Sequence, residues 1–350
     1  MRVPLIYREK PTFGFDLGTR TAKIMQLRPG GNRHKVLAYG YADFDEDAIT
    51  EGIIVDPKLI AQQLRPLIDK VPHGRLTASR IATALPVAKL FTRVIQLPNM
   101  KPEDLGAAVR LEAEQYIPVP LADLYIDHEI VEAGAEQSEV LMVAAPRAIV
   151  DSYMKLFDIL KLEVGLIESS LAAATRAVVA TAQMDKPTLV ADIGSSSIDL
   201  TVYDKVLRLT DTVAMGGDTL TMQLVKDLAI TRDQASEIKY KFGVGPSGLQ
   251  PKIVASLGVP LKKMCDEMKR VMKFYQDRGA GRRKIELIIV SGGSASMPGF
   301  VEYMASQMNV ALVVAEPWKD LDLGKLDQIP ETDAPMYTTA IGLARWETHK

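Results

Sequence analysis

The amino-acid sequence predicts a two-lobed α/β fold carrying an inserted subdomain, on three observations. The chain has 350 residues, more than one hydrophobic core usually supports, so two lobes or one divided domain is expected. A strand-break-strand segment at 13–27, FGFDLGTRTAKIMQL, is nearly repeated at 190–203, VADIGSSSIDLTVY, with Asp16, Gly18 and Thr19 standing where Asp192, Gly194 and Ser195 stand, 176 positions later. Between the copies, residues 98–162 read as helix, strand, strand, helix, a pattern unlike its surroundings.

Strand patterns come first, at GFDLG, AKIMQL and VLAYGYADF, then a helix from Pro57 to about Ile68 and strands around RIATALP and FTRVIQLP; strands mixed with single helices imply α/β packing. Pro102 opens a helix with acids in its first turn and Leu105, Val109, Ala113 and Tyr116 on one face. Strands near LYIDHEIVE and SEVLMVAAP follow, then a helix from Pro146 carrying Ile149, Val150, Tyr153, Met154, Phe157 and Leu160. After the second hairpin and MGGD the chain turns helical through about Tyr275, with Asp218 as an N-cap. Within that stretch Thr231 and Gln234 form a capping box, and Gly243 ends the helix. A basic turn, RGAGRRK, leads to the strand IELIIVSGG, a helix opened by Pro298, the strand VALVVAEP and a short helix, TTAIGLARW.

The hairpins carry the chemistry. A glycine in such a turn lets a ligand oxygen approach the backbone, while successive N–H groups and Ser or Thr hydroxyls donate to phosphate. One such hairpin is an ordinary turn; two in matching contexts are what half-domains facing one nucleotide require. Lys23, five residues after Gly18, is placed to bring its ammonium back toward the phosphates. Asp16 and Asp192 are candidate Mg²⁺ ligands, directly or through water, because that ion takes few carboxylates and keeps several waters. The paired glycines Gly292 and Gly293 in VSGGSASMPGF would let an adenine or ribose lie flat on the backbone.

Other classes are excluded. Basic and acidic residues number 42 and 44, a net charge of -2, which draws the chain to neither nucleic acid nor anionic lipid. The single cysteine, Cys265, excludes an intrachain disulfide, and MRVPLIYREKP lacks the apolar core of a signal peptide, so the cytoplasm is expected. No apolar run approaches the roughly 18 residues that cross a bilayer. The four histidines form no zinc spacing, and neither G-x-x-x-x-G-K-[ST], G-x-G-x-x-G after the first strand nor G-x-S-x-G occurs.

The ordered segments FDLGTRTAK, IESSLAAATRA, ADIGSSSID, VSGGSASMPGF and TTAIGLA resemble the five-part nucleotide signature of the actin-like ATPase superfamily. Within it, GIIVDPKLIAQQL, LPNMKPEDLGAAVRLEAEQYIPVPLADLYIDHEI and MGGDTLTMQLVKDLAITRDQASEIKYKFG are similar, nearly end to end, to the PilM family of type IV pilus assembly proteins, relatives of FtsA. The resemblance implies an actin-like (ribonuclease H-like) fold. Its first lobe would take residues 1–97 and 163–186, joined by a C-terminal helix at 334–350. The insert would be 98–162, and the second lobe 187–333 with a helical subdomain at 214–284. It implies ATP and Mg²⁺ as cofactors, with Asp16, Gly18, Thr19, Thr21 and Lys23 on the phosphates from one side and Asp192, Gly194, Ser195 and Ser196 from the other. Gly292, Gly293 and Ser294 would face the nucleoside, Lys239 the adenine, and Glu168 would position water. Ser236 stands where relatives often carry a carboxylate on the ribose, and Glu237, about 100° around the helix, does not replace it.

The implied function is a cytoplasmic adaptor that binds the short N-terminal tail of the inner-membrane protein PilN, reaches the membrane only through it, and connects to the pilus motor ATPases. Hydrolysis is expected to be slow or absent. FtsA-type chains end in a membrane-targeting amphipathic helix, and a chain ending ARWETHK is expected to lack one. The rivals are a small-molecule kinase of the same superfamily, which needs an acidic base in its cleft, and an FtsA-like filament that self-associates.

Overall fold

The computed structural model describes residues 10–30, 33–182, 184–277 and 283–346. Lobe I is built on β1 (Thr12–Leu17), β2 (Thr21–Arg28), β3 (His34–Asp43), α1 (Pro57–Asp69) and β4 (Arg80–Leu85). The chain then runs through β5 (Phe91–Pro98), α2 (Pro102–Tyr116), β6 (Leu124–Ala133), β7 (Gln137–Pro146) and α3 (Arg147–Ile159), returning by β8 (Glu163–Ser169) and α4 (Ser170–Thr181). Lobe II holds β9 (Thr188–Ile193), β10 (Ile198–Asp204), β11 (Val206–Val213), α5 (Gly217–Leu228), α6 (Arg232–Lys241), α7 (Gln250–Asp277), β12 (Leu287–Ser291), α8 (Phe300–Gln307) and β13 (Ala311–Val314). Helix α9 (Thr338–Ala344) closes the order.

The two lobes repeat one topology. In lobe I the strands lie in the order β3-β2-β1-β4-β8, in lobe II β11-β10-β9-β12-β13; two short strands, His73–Gly74 and Leu321–Asp322, pair with β3. In each, the first three strands are antiparallel and the last two join in parallel. Strands β1 and β9 are buried almost throughout because both faces of each sheet are covered, which explains their unbroken apolar runs. One face of lobe I packs Phe13, Phe15, Ile60, Leu64 and Ile81, and the lobe II core gathers Leu189, Leu200, Leu257, Met264 and Ile288.

Helices α4 and α9 join the halves. Their small residues permit backbone contact: a β-carbon at Gly342 would fall 1.8 Å from the Ala173 carbonyl oxygen, and one at Gly14 would fall 2.2 Å from that of Ala340. Ala173 packs in the lobe I core with Leu343, whereas Val178, one turn on, packs with Val190 and Ile289 of lobe II.

The insert differs from its expected composition. Strand β5 pairs with β7 and β7 with β6 in a three-stranded sheet, covered by Leu105, Val109 and Ala113 of α2. Helix α3, expected as the second helix of that unit, instead buries Ile149, Tyr153, Leu156 and Phe157 in the lobe I core against Ile60 and Leu64. Its periodicity marks an apolar face but not the partner. Tyr116 is exposed and Ile117 fills the place expected for it. The N-cap of α5 is Gly216, whose N–H donates to Thr219 Oγ1 at 3.1 Å, so Asp218 lies inside the first turn. The Thr231/Gln234 capping box forms as expected, and Gly243 follows α6 at φ +49°. Helix α8 starts at Phe300, after Gly299 at φ +74°. Residues 278–282 of the basic turn and 347–350 of the C-terminal segment lie outside the described residues.

Candidate functional site

Both hairpins close the same way: the Gly18 N–H donates to the Thr21 carbonyl and the Gly194 N–H to the Ser197 carbonyl, each at 3.0 Å. They face one another across a cleft of about 1430 Å³ between the lobes. Their tips meet, with Thr19 Oγ1 lying 2.5 Å from Ser195 Oγ, a pair of equivalent residues. Phosphate groups admitted between the loops would replace that contact with their own oxygens.

Behind the tips the charges diverge. Asp16 sits across from Lys23 in the β1–β2 register, and Lys23 Nζ lies 3.3 Å from Asp16 Oδ2. At the equivalent place in lobe II, Asp192 sits across from Asp199. Burial raises the Asp192 pKa, with the Asp16 charge adding, while a hydrogen bond from Ser291 Oγ at 3.0 Å opposes the rise. Asp199 is pushed up to about 7, by burial first and then by Asp192, although Thr212 Oγ1 donates to it at 3.0 Å. Among the described residues no three His, Cys, Asp or Glu groups assemble into a protein-only metal site. Two carboxylates facing each other from opposite loops do fit Mg²⁺, which completes its shell with water and phosphate oxygens. The ion would supply the positive charge that their mutual repulsion favours.

The far wall belongs to lobe II. Gly292 has φ +85°, and a β-carbon there would lie 2.5 Å from the Ile193 carbonyl and 2.7 Å from Asp192 Oδ1. At Gly293 the same atom would meet only the Tyr240 hydroxyl, at 4.0 Å. That open face and the half-exposed Tyr240 ring form a slot suited to a planar base. Ser294 is buried beside Gly217. Lys239, buried one turn behind the slot, donates to the Gly217 carbonyl at 3.0 Å and Thr221 Oγ1 at 2.9 Å; burial lowers its pKa to about 8. Ser236 lies on the cleft wall with Lys239 and Tyr240, at helical spacings of three and four.

Asp16, Gly18, Thr19, Thr21, Lys23, Asp192, Gly194, Ser195, Ser196, Lys239, Gly292, Gly293 and Ser294 all line this one cleft. Glu168 does not. Both its oxygens accept from Arg176, at 2.7 and 2.6 Å, and Arg176 also donates to the Gly342 carbonyl at 2.9 Å. The carboxylate expected to position water is thus paired with Arg176 here and does not line the cleft. It borders a separate cavity of about 370 Å³ between the insert and lobe I, where Leu90, Val143, Val150 and Ile167 give an apolar lining and Arg110 and Asp127 polar flanks. Sequence reasoning missed Arg20, Glu46, Gly217, Asp218, Arg232 and Tyr240, which also line the cleft. The doublet in MGGD and the aromatic after Lys239 were the available signals for Gly217 and Tyr240.

The family model described as type IV pilus assembly protein PilM matches residues 14–347. A solved PilM-PilN type IV pilus biogenesis complex is similar, with a TM-score of 0.83 and 21% identity over 95% of this chain and 97% of that one. The ethanolamine utilization protein EutJ from Carboxydothermus hydrogenoformans matches with a TM-score of 0.58 and 18% identity, over 97% of this chain and 90% of that one. MreB 5 of Spiroplasma citri, bound to AMPPNP, matches with a TM-score of 0.56 and 11% identity, over 98% and 97%. These likenesses show an actin-like two-lobed fold.

Proposed function

The chain belongs to the type IV pilus assembly protein PilM family, and from that premise we propose that it is a cytoplasmic, ATP-binding adaptor for the N-terminal tail of PilN. The observation that carries the reading is the pair of equivalent loops meeting at Thr19 and Ser195 over one cleft. ATP with Mg²⁺ would lie there, phosphates between the hairpins and base in the Gly293–Tyr240 slot. The tail would dock in the separate cavity between the insert and lobe I, where an extended peptide gains backbone pairing and a side-chain pocket. Strand β6, at the edge of the insert sheet, borders that cavity through Tyr125, Ile126 and Asp127.

A physical link joins the two places. Arg208 on β11 of lobe II donates to Glu139 Oε2 at 2.6 Å and Glu132 Oε2 at 2.9 Å of the insert. The insert is thus tied to lobe I by the chain and to lobe II by Arg208, so a change in lobe separation bears on the groove beside it. Such coupling is reciprocal and typically amounts to about 1 to 3 kcal/mol. With Glu168 committed to Arg176, slow hydrolysis is the reading the geometry supports. Among the described residues no helix is long and apolar enough to cross a membrane, which suits an adaptor that is attached through its partner and itself links the pilus motor to the envelope complex.

The test is titration of the purified chain with synthetic PilN tails, with and without Mg-ATP; equal tail affinity in both arms contradicts coupling. One observation favours a small-molecule kinase: Asp199, a cleft carboxylate pushed up to about 7, has the poise of a general base. Rapid ATP consumption in a screen of sugars and organic acids would select that reading.

A further inference from the structure

Four charged side chains at the cleft form a closed ring across the lobes. From lobe I come Arg20, at the tip of the first hairpin, and Glu46, in the turn after β3; from lobe II come Asp218, in the first turn of α5, and Arg232, the first residue of α6. Arg20 Nε lies 2.5 Å from Glu46 Oε2 and Arg20 Nη2 lies 3.4 Å from Asp218 Oδ2. Arg232 Nη1 lies 3.0 Å from Glu46 Oε1 and Arg232 Nη2 lies 3.5 Å from Asp218 Oδ1. Each arginine therefore bridges both acids. Two of the four contacts cross from lobe to lobe.

The ring adjoins the site proposed for phosphates. Arg20 sits between Thr19, which touches Ser195, and Thr21, which closes the hairpin, and its own carbonyl accepts from the Phe44 N–H at 2.8 Å. Its backbone is therefore held while its guanidinium is shared between two carboxylates. Asp218 is fixed too: its N–H donates to the Ser195 carbonyl at 2.8 Å, at the tip of the second hairpin. A carboxylate carried by the second loop's neighbour thus engages a guanidinium carried by the first loop, beside the cleft where a polyphosphate's charge would concentrate. Guanidinium binds carboxylate and phosphate by the same forked geometry, so the two compete for it.

We propose that the ring is a latch holding the lobes together before nucleotide arrives, and that Arg20 is a phosphate ligand which Asp218 occupies until a nucleotide polyphosphate displaces it. This rests on the reading of the cleft as a nucleotide site and adds to it a residue and a competition. Asp218 acts as an internal anion, and its removal frees the Nη2 edge of Arg20 while Glu46 still holds Nε. Arg232 and Glu46 complete the latch.

A double-mutant cycle tests it, with Mg-ATP affinity of the full chain measured by calorimetry for wild type, Asp218→Asn, Arg20→Gln and the double variant. Asp218→Asn is expected to tighten ATP several-fold, and Arg20→Gln to weaken it about tenfold, as loss of a charged hydrogen bond does. In the Arg20→Gln background the gain from Asp218→Asn is expected to vanish. A gain that persists without Arg20, or an Asp218→Asn variant that binds ATP no better than wild type, overturns the proposal. Should Asp218→Asn not fold, Glu46→Gln on its exposed turn reads the same competition from the other acid, with the same expected direction and the same contrary result. Absence of heat in all proteins, wild type included, removes the nucleotide reading itself.

Discussion

The hairpin at 16–23 and the hairpin at 192–199 share a strand register, a glycine-closed turn and a cleft-facing hydroxyl, but they differ in one charge. Where lobe I places Lys23 across from Asp16, lobe II places Asp199 across from Asp192. The first pair is self-neutralising. The second is a buried carboxylate pair, and burial together with mutual repulsion drives the Asp199 pKa to about 7. A duplicated backbone thus offers the cleft a cation-acid pair from one side and two acids from the other.

The largest expected effect comes from erasing that difference. Lys23→Asp would give both hairpins two acids, and Mg-ATP affinity is expected to fall by roughly a hundredfold or more, since a charge-assisted contact becomes repulsion beside Asp16. Wild-type affinity in calorimetry would strip Lys23 of its phosphate role. Next is Asp192→Ala, expected to abolish the ATP dependence of tail binding; a variant that retains the dependence removes Asp192 from the site.

Asp199 sharpens the comparison through pH. Its folded pKa lies above the ordinary 3.8, so between about 4 and 7 the native state binds a proton that the unfolded chain releases. Stability therefore decreases as pH rises through that window and levels off above 7. In magnesium-free buffer a loss on the order of 2 kcal/mol between pH 5 and pH 8 is expected from this group, absent in Asp199→Asn. Denaturant unfolding at the two pH values measures it, and an equal loss in the variant assigns the dependence elsewhere. The smallest effect belongs to the tips: Thr19→Ala and Ser195→Ala should each cost about 1 kcal/mol or less, and the double variant no more than the larger single one.

Much of this was legible because it repeats. The D-x-G hairpins, the paired glycines at 292 and 293 and the Thr231/Gln234 box are local signals, and the structure brings the hairpins and glycines into one cleft. The latch left no such trace: Arg20, Glu46, Asp218 and Arg232 stand on four separate turns of the chain, and only the facing lobes bring them together. Glu168 entered only through the resemblance, and its ion pair with Arg176 is a tertiary contact that no local pattern announces. ATP turnover is accordingly expected to be unchanged in Glu168→Gln, within the error of a phosphate-release assay.

Calorimetric titration of Mg-ATP into the wild-type chain, Asp16→Ala and Asp192→Ala tests most directly whether two lobes grip one nucleotide. One ATP per wild-type chain is expected, with affinity at least about tenfold weaker when either carboxylate is removed. Binding that survives unchanged in either variant, or no binding to the wild type, contradicts a site shared between the twin loops.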